Sequence, residues 1–183
     1  MNRKVAQNTL WILILVFLLS ATNMANAEEI NTKKVGDILL ILIPATAYGT
    51  TFYLHDTEGR NQFYKSFFTN LGVTSGLKLS INKERPDGSD NNSFPSRHTS
   101  ATFQGAAFIH KRYGWKYSIP AYIGAIFVGY SRVHADKHYA EDVLAGAAIG
   151  FVSSYCFTTP FKEVSVTPIA DNGTYGLTIS KKW

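Results

Sequence analysis

Apolar residues fall into blocks separated by short polar breaks, and the blocks are long enough for helices. Val35-Gly36-Asp37-Ile38-Leu39-Leu40-Ile41-Leu42-Ile43-Pro44 opens an apolar stretch over 35–54. A proline inside such a run predicts a kinked helix. His55-Asp56-Thr57-Glu58-Gly59-Arg60-Asn61 is a polar break. Residues 62–80 then carry Phe63, Phe67, Leu71 and Leu77 near helical spacing. This second helix is expected over 62–80, with Arg85-Pro86 the stop for any continuation towards Glu84. The turn-forming loop 87–93 precedes a third helix from about Ser96 to Tyr113, ended by Gly114. A fourth covers 117–131 with Pro120 in its first turn, where proline is tolerated. A fifth covers about 138–157 and is closed by Pro160. Short connections make successive helices antiparallel, so the pattern predicts an all-α bundle of about five to six helices.

The two ends differ from this middle. Arg3 and Lys4, then the apolar run Leu10–Leu19, then Ala25-Asn26-Ala27 have the layout of a secretory signal peptide over residues 1–27. At the other end, β-prone runs at 164–169 and 175–180 flank Asn172-Gly173. Asn-Gly between such runs predicts a β-hairpin. The expected organisation is therefore a removed leader 1–27, a helical domain 28–161 and a hairpin tail 162–183.

Composition narrows the class. Hydrophobic residues make up 45% and aromatics 14% of the 183 residues, which excludes a disordered chain. The mean hydropathy of -0.05 is low for a protein made mostly of membrane spans. The apolar stretches 35–54, 117–131 and 143–157 are nevertheless each near the lower length for a span, and membrane association is expected. The net charge is +5, but no Lys/Arg run interleaves with aromatics, so a nucleic-acid partner is not expected. A phosphate substrate or an anionic membrane surface suits the same charge. Cys156 is the single cysteine and reads as a small buried hydrophobe.

Three stretches carry candidate chemistry. In the last, Arg132-Val133-His134-Ala135-Asp136-Lys137-His138-Tyr139-Ala140-Glu141-Asp142, His138 and Asp142 are four residues apart on the predicted helix. They share a face, so the carboxylate can orient one imidazole nitrogen and leave the other free. Arg132 adds a fixed cationic fork suited to an oxyanion. A rival reading takes His134, His138 and Asp142 as zinc ligands on one helix, but it leaves the cations unexplained. In the first stretch, Lys78 and Arg85 are seven apart. Continued helix would return both to one face, either around a shared anion or as a solvated face. In the second, Phe94-Pro95-Ser96-Arg97-His98, Ser96 is an N-cap candidate. A capped helix start is an anion site in itself, with His98 in its first turn. The bland alternative is a simple cap and a surface histidine.

Taken in order, Lys78…Arg85-Pro86, Pro95-Ser96-Arg97-His98 and Ser131-Arg132…His138…Asp142 resemble the three-part signature of the type 2 phosphatidic acid phosphatase (PAP2) superfamily. That superfamily includes bacterial acid phosphatases, lipid phosphate phosphatases and vanadium haloperoxidases. Arg97 is the one departure, standing where the pattern has glycine. The resemblance implies a PAP2/haloperoxidase-like helical core and a metal-independent phosphatase with no cofactor, working through a phosphohistidine. His138 is then the nucleophile, Asp142 its orienting partner and His98 the proton donor. Lys78, Arg85, Arg132, the Ser96 hydroxyl and the Arg97 N–H hold the phosphate. The substrate is expected to be a phosphorylated lipid or a small phosphate ester. Lipid A phosphate, undecaprenyl pyrophosphate and phosphatidylglycerophosphate all fit, and the location would be periplasmic at the inner membrane. The alternatives are a vanadium-dependent haloperoxidase-like enzyme and a non-catalytic anion-binding membrane protein.

Overall fold

Five helices follow one another with short connections: α1 (Thr32–Tyr53), α2 (Thr57–Ser80), α3 (Arg97–Tyr113), α4 (Trp115–His134) and α5 (Ala140–Phe157). This computed structural model describes residues 32–161 and the backbone of two strands, β1 (Val164–Asp171) and β2 (Thr174–Lys181). The leader expected over 1–27 and the Asn172-Gly173 pair lie outside the described residues.

Local chemistry sets the helix limits. Asp56 caps α2, its carboxylate accepting from the Gly59 N–H at 2.8 Å. Ser96 caps α3, and Gly114 ends it with φ of 107°, donating its N–H to the His110 and Ile109 carbonyls. Glycine reaches that backbone region without a Cβ penalty. α1 is continuous through Pro44.

Some boundaries differ from the sequence expectation. α2 begins at Thr57, inside the stretch expected as a polar break, because Asp56 caps it there, and it stops at Ser80, where the expected run over 62–80 also ends. Ile81 is extended, and residues 83–93 close into a loop through Lys83 N–H to Asn91 O and Ser93 N–H to Lys83 O. Those loop bonds compete with continued helix. α5 begins at Ala140, after His138. The N–H groups of Lys137 and His138 both turn back to the Arg132 carbonyl, with Asp136 at φ of 51°. His138 therefore sits in a chain reversal and shares no helix face with Asp142.

α3 is the central element and packs against α1, α2, α4 and α5. Its residues from Gln104 to Ile109 are all buried, whereas its neighbours each bury one stripe. α5 lies close on α3 because Gly146 faces the Ser96 carbonyl, where an added Cβ would come within 2.5 Å. Small residues let the two backbones approach. A core of Ala47, Phe63, Phe108 and Ile109 fills one part of the bundle. Burying a side chain such as Phe108 contributes about 1.5–3 kcal/mol.

Elsewhere the interior is polar. Gln104 donates to Ser66 at 2.8 Å, Ser154 to the Gln104 carbonyl at 2.7 Å, and Thr74 to Ser100 at 3.1 Å. Among the described residues, buried polar side chains outnumber buried apolar ones, while large apolar side chains such as Ile41, Phe68, Ile123 and Leu144 project outward. Cys156 is also exposed, contrary to expectation, because α5 turns Asp142, Gly146, Gly150, Ser153 and Ser154 inward.

The helices belong to a compact unit of residues 29–160. The strands belong to a second unit, in which β1 and β2 pair antiparallel from Val164 opposite Lys181 to Asp171 opposite Thr174. The two paired strands cover the β-prone runs at 164–169 and 175–180.

Candidate active site

The three stretches meet at one end of the bundle, where α2 ends, α3 and α5 begin, and α4 ends. A cavity of about 260 Å³ opens there. Arg85, His98, Arg132 and His138 line it, joined by Lys33, Asp37, Ser89, Asp90 and Lys137. Four of the eight site residues expected from sequence thus share one cavity.

Each arrives by a different local device. Arg85 stands in the loop after α2, its Nε donating to Asp90 Oδ1 at 2.7 Å and its Nη1 to the Lys137 carbonyl at 3.2 Å. His98 is in the first turn of α3, where Ser96 caps the helix. Arg132 is in the last turn of α4 and is 2% exposed. Its Nη1 donates to Asp37 Oδ1 at 2.8 Å, Nη2 to the Lys33 carbonyl at 2.8 Å, and Nε to Ser131 Oγ at 3.1 Å. His138 follows the chain reversal and is buried.

The other four expected residues stand behind the wall or outside it. Lys78 is buried in the last turn of α2, donating to the Asn92 carbonyl at 2.5 Å and to that of Ser93 at 3.5 Å. Ser96 is buried, and its hydroxyl lies 3.0 Å from that of Thr99. Arg97 is exposed and is the first helical residue of α3, so no left-handed backbone is required where the family pattern has glycine. Asp142 is fully buried in the first turn of α5.

Asp142 is not directly hydrogen-bonded to His138. Their Nδ1 and Oδ2 are 3.8 Å apart, and the buried His138 Nδ1 finds no hydrogen-bond partner at normal geometry. The Asp142 carboxylate instead accepts from Lys83 Nζ at 2.6 Å, Ser93 Oγ at 2.5 Å and the Tyr139 N–H at 3.0 Å. Burial opposes its charge, but those three donors outweigh it and hold the carboxyl below its usual range.

The same surroundings favour neutral imidazoles. Burial, then the Arg85 and Lys78 charges, push His138 down to about 4, against Asp142 and the backbone at Ser93. Burial and Arg132 also lower His98, with Asp37 opposing. Its Nε2 is 3.0 Å from Asp37 Oδ1. Burial, then Arg85 and Arg97, lower Lys78 to about 8, which leaves it mostly charged at neutral pH. Chemically, this is a cationic pocket holding one unprotonated imidazole and a second near a carboxylate.

The zinc alternative needed one helix to carry three ligands. α4 ends at His134, which stacks on Tyr130, whereas His138 precedes α5. Among the described residues no group of three His, Cys, Asp or Glu side chains is placed to hold a metal.

Sequence reasoning passed over Asp37, Lys83, Ser93 and Asp90. Lys83 had a signal, being a third cation between Lys78 and Arg85. So did Asp37, a lone acid within an apolar run. Ser93 and Asp90 lay in a polar loop with nothing to set them apart.

Comparison with known proteins gives the arrangement its context. The sequence pattern of the PAP2 superfamily matches residues 54–164. Lipid A 1-phosphatase of Porphyromonas gingivalis is 42% identical over 84 residues, 44% of this chain and 19% of that protein. The match therefore spans about a fifth of that relative's length. Lipid A 4'-phosphatase of Helicobacter pylori is 27% identical over 170 residues, covering 82% of this chain and 85% of that protein. The crystal structure of Aquifex aeolicus LpxE superposes with a TM-score of 0.59 at 20% identity, covering 72% of this chain and 87% of that one. That likeness establishes the helical fold.

Proposed function

The chain belongs to the PAP2 superfamily, and from that membership and the site geometry we propose that it is a phosphatase acting on the phosphate of a lipid. The observation that carries this is the single cavity shared by Arg85, His98, Arg132 and His138, drawn from three separate stretches. An anion pocket alone needs only the cations. Two histidines on its wall, one held unprotonated, supply a nucleophile and a proton carrier.

In this reading His138 attacks phosphorus, and a P–N bond forms as the P–O bond to the leaving group breaks. His98 gives its proton to the leaving alkoxide. It then takes a proton from water, whose oxygen attacks phosphorus and releases His138. Arg85, Arg132 and Lys78 offset charge on the phosphoryl oxygens, so the reaction requires no metal. Arg97 contributes its backbone N–H. Ser96, engaged with Thr99, holds that turn of α3 in place. Asp142 stabilises the positive charge that develops on His138 across 3.8 Å.

The lipid assignment rests on the surface and on the relatives. Ile41 is 71%, Ile123 64% and Leu144 70% exposed, on three different helices. Exposed apolar and buried polar side chains together are what contact with lipid accounts for. α1 is long and apolar enough to cross a membrane. Two relatives are named for phosphatases of lipid A, which makes a lipid A phosphate the first substrate to test. The leader-like stretch 1–27 supports export, with the site at the periplasmic face of the inner membrane.

The test compares wild type with His138→Ala on lipid and soluble phosphomonoesters, with and without a chelator. Phosphate release should disappear in the variant and persist under chelation. Equal release by both proteins overturns the mechanism, and loss on chelation overturns its metal independence.

A further inference from the structure

Helix α1 lies outside the segment matched to the family, residues 54–164, yet its first turns reach the cavity. At Gly36 it packs on α4 so closely that an added Cβ would meet Ser131 Oγ at 2.2 Å and Arg132 Nη2 at 2.6 Å. This contact delivers the next residue, Asp37, to the cavity wall. Asp37 Oδ1 accepts from Arg132 Nη1 at 2.8 Å and lies 3.0 Å from His98 Nε2. The Asp37 side chain is 45% exposed, so it faces the cavity instead of being sealed inside an ion pair. The Arg132 side chain is 3% exposed, and its Nη2 and Nε donate to the Lys33 carbonyl and Ser131 Oγ. A phosphate that engages Arg132 at Nη1 must share that nitrogen with the Asp37 carboxylate.

We propose that Asp37 is an internal anion that competes with the substrate's phosphate for Arg132 and His98, and so keeps the pocket's grip on inorganic phosphate weak. The proposal rests on reading the cavity as a phosphate site. Its physical basis is that one carboxylate oxygen already holds the two donors a phosphate needs, and like charges at that separation repel. An ester offsets the penalty with contacts along the rest of its molecule. Orthophosphate has no such remainder and leaves. Binding energy is thereby withheld from the product and kept for the reacting state.

The experiment titrates inorganic phosphate against the full chain in detergent and follows the rise in unfolding temperature, which reports affinity without turnover. Wild type is compared with Asp37→Asn and Asp37→Ala, with Arg85→Ala as the binding-deficient control. Their transitions without phosphate establish that the variants fold, and two substitutions guard against the loss of one. Both Asp37 variants should bind phosphate roughly tenfold or more tightly than wild type. Inhibition of turnover by phosphate should strengthen in parallel. Equal or weaker binding in both variants, with wild type binding phosphate and Arg85→Ala not, overturns the proposal and leaves the phosphatase reading standing. Failure of every protein to bind phosphate overturns both.

Discussion

Lys83 Nζ lies 2.6 Å from Asp142 Oδ1, closer to that carboxylate than His138, whose Nδ1 is 3.8 Å from Oδ2. Lys83 is 27% exposed and Asp142 is fully buried, so the lysine is the cation through which a buried charge meets the surface. Lys83 also lies 4.5 Å from the centre of the Tyr139 ring and bonds Glu141 at 2.8 Å. It thus ties the loop after α2 to the start of α5. Truncation as Lys83→Met should cost about 1–3 kcal/mol, read as a lowered unfolding temperature. It should also reduce kcat more than it changes KM, because Asp142 loses one of the three donors that fix its position. An unchanged kcat with lowered stability would confine Lys83 to a structural part.

The two imidazoles predict a pH profile. In the proposed mechanism His138 must be unprotonated to attack, and its surroundings hold it at about 4. In the same mechanism His98 must be protonated to donate, and burial and Arg132 lower it from the ordinary value of 6.5. Turnover should therefore rise with pH through about 4, peak on the acid side and fall before pH reaches the ordinary histidine range. A profile still rising between pH 6.5 and 8 would count against His98 as the acid.

The same shift at His138 is a statement about stability. An unfolded histidine takes up its proton near 6.5, while the folded one resists until about 4. The folded state therefore gains nothing from this group above 6.5 and loses ground as pH falls from there towards 4, by about 3 kcal/mol in total. Unfolding temperatures measured across that window should drop more steeply for wild type than for His138→Ala. Parallel curves would exclude His138 as the source.

At the far end of the bundle, Arg112 and Asp56 form a buried pair, with Nη2 2.5 Å from Oδ1 and both side chains 2% exposed. Tyr113 adds a hydroxyl 3.0 Å from Oδ2, and Arg112 reaches the Thr159 carbonyl at 2.9 Å. Arg112→Ala leaves a carboxylate buried without its main partner, which costs about 3–5 kcal/mol. Thermal unfolding should show that loss, while KM and kcat of the folded fraction stay near wild type, since the site lies at the opposite helix ends.

Gly146 tests the packing that places the site. An added Cβ would meet the Ser96 carbonyl at 2.5 Å and the Ser100 nitrogen at 3.3 Å, and neither backbone atom can move alone. The Ser96 N–H also donates to the Asp142 carbonyl at 2.9 Å, so α3 and α5 are joined at this point. Gly146→Val should separate the two helix starts and lower both the unfolding temperature, by about 1–3 kcal/mol in stability, and kcat. A variant as active and stable as wild type would show that the close approach is not needed.

Much of this was legible in the chain. Apolar periodicity, Gly114 and the Ser96 cap located α3 to within a residue, because those signals are local. The start of α2 was less legible than its end. Residues 57–61 are polar and read as a break, whereas the Asp56 carboxylate caps a helix that begins among them. His138 and Asp142 were visible as a pair but placed on one helix, since the four-residue spacing fits a helix and nothing nearby announces the reversal at Asp136.

By itself, then, the sequence determined the order of the helices, the residue types of the candidate site and the family to which the chain belongs. Each of those follows from spacing within a short window. Tertiary structure decided the partners: Lys83 and Ser93 on Asp142, Asp37 on Arg132 and His98, and Ser96 behind the wall. Those contacts join residues 49 to 95 positions apart, apart from the first turn around Ser96 itself. Such pairs form only when α3 brings the other four helices to one end, and no local pattern encodes which side chains then face each other.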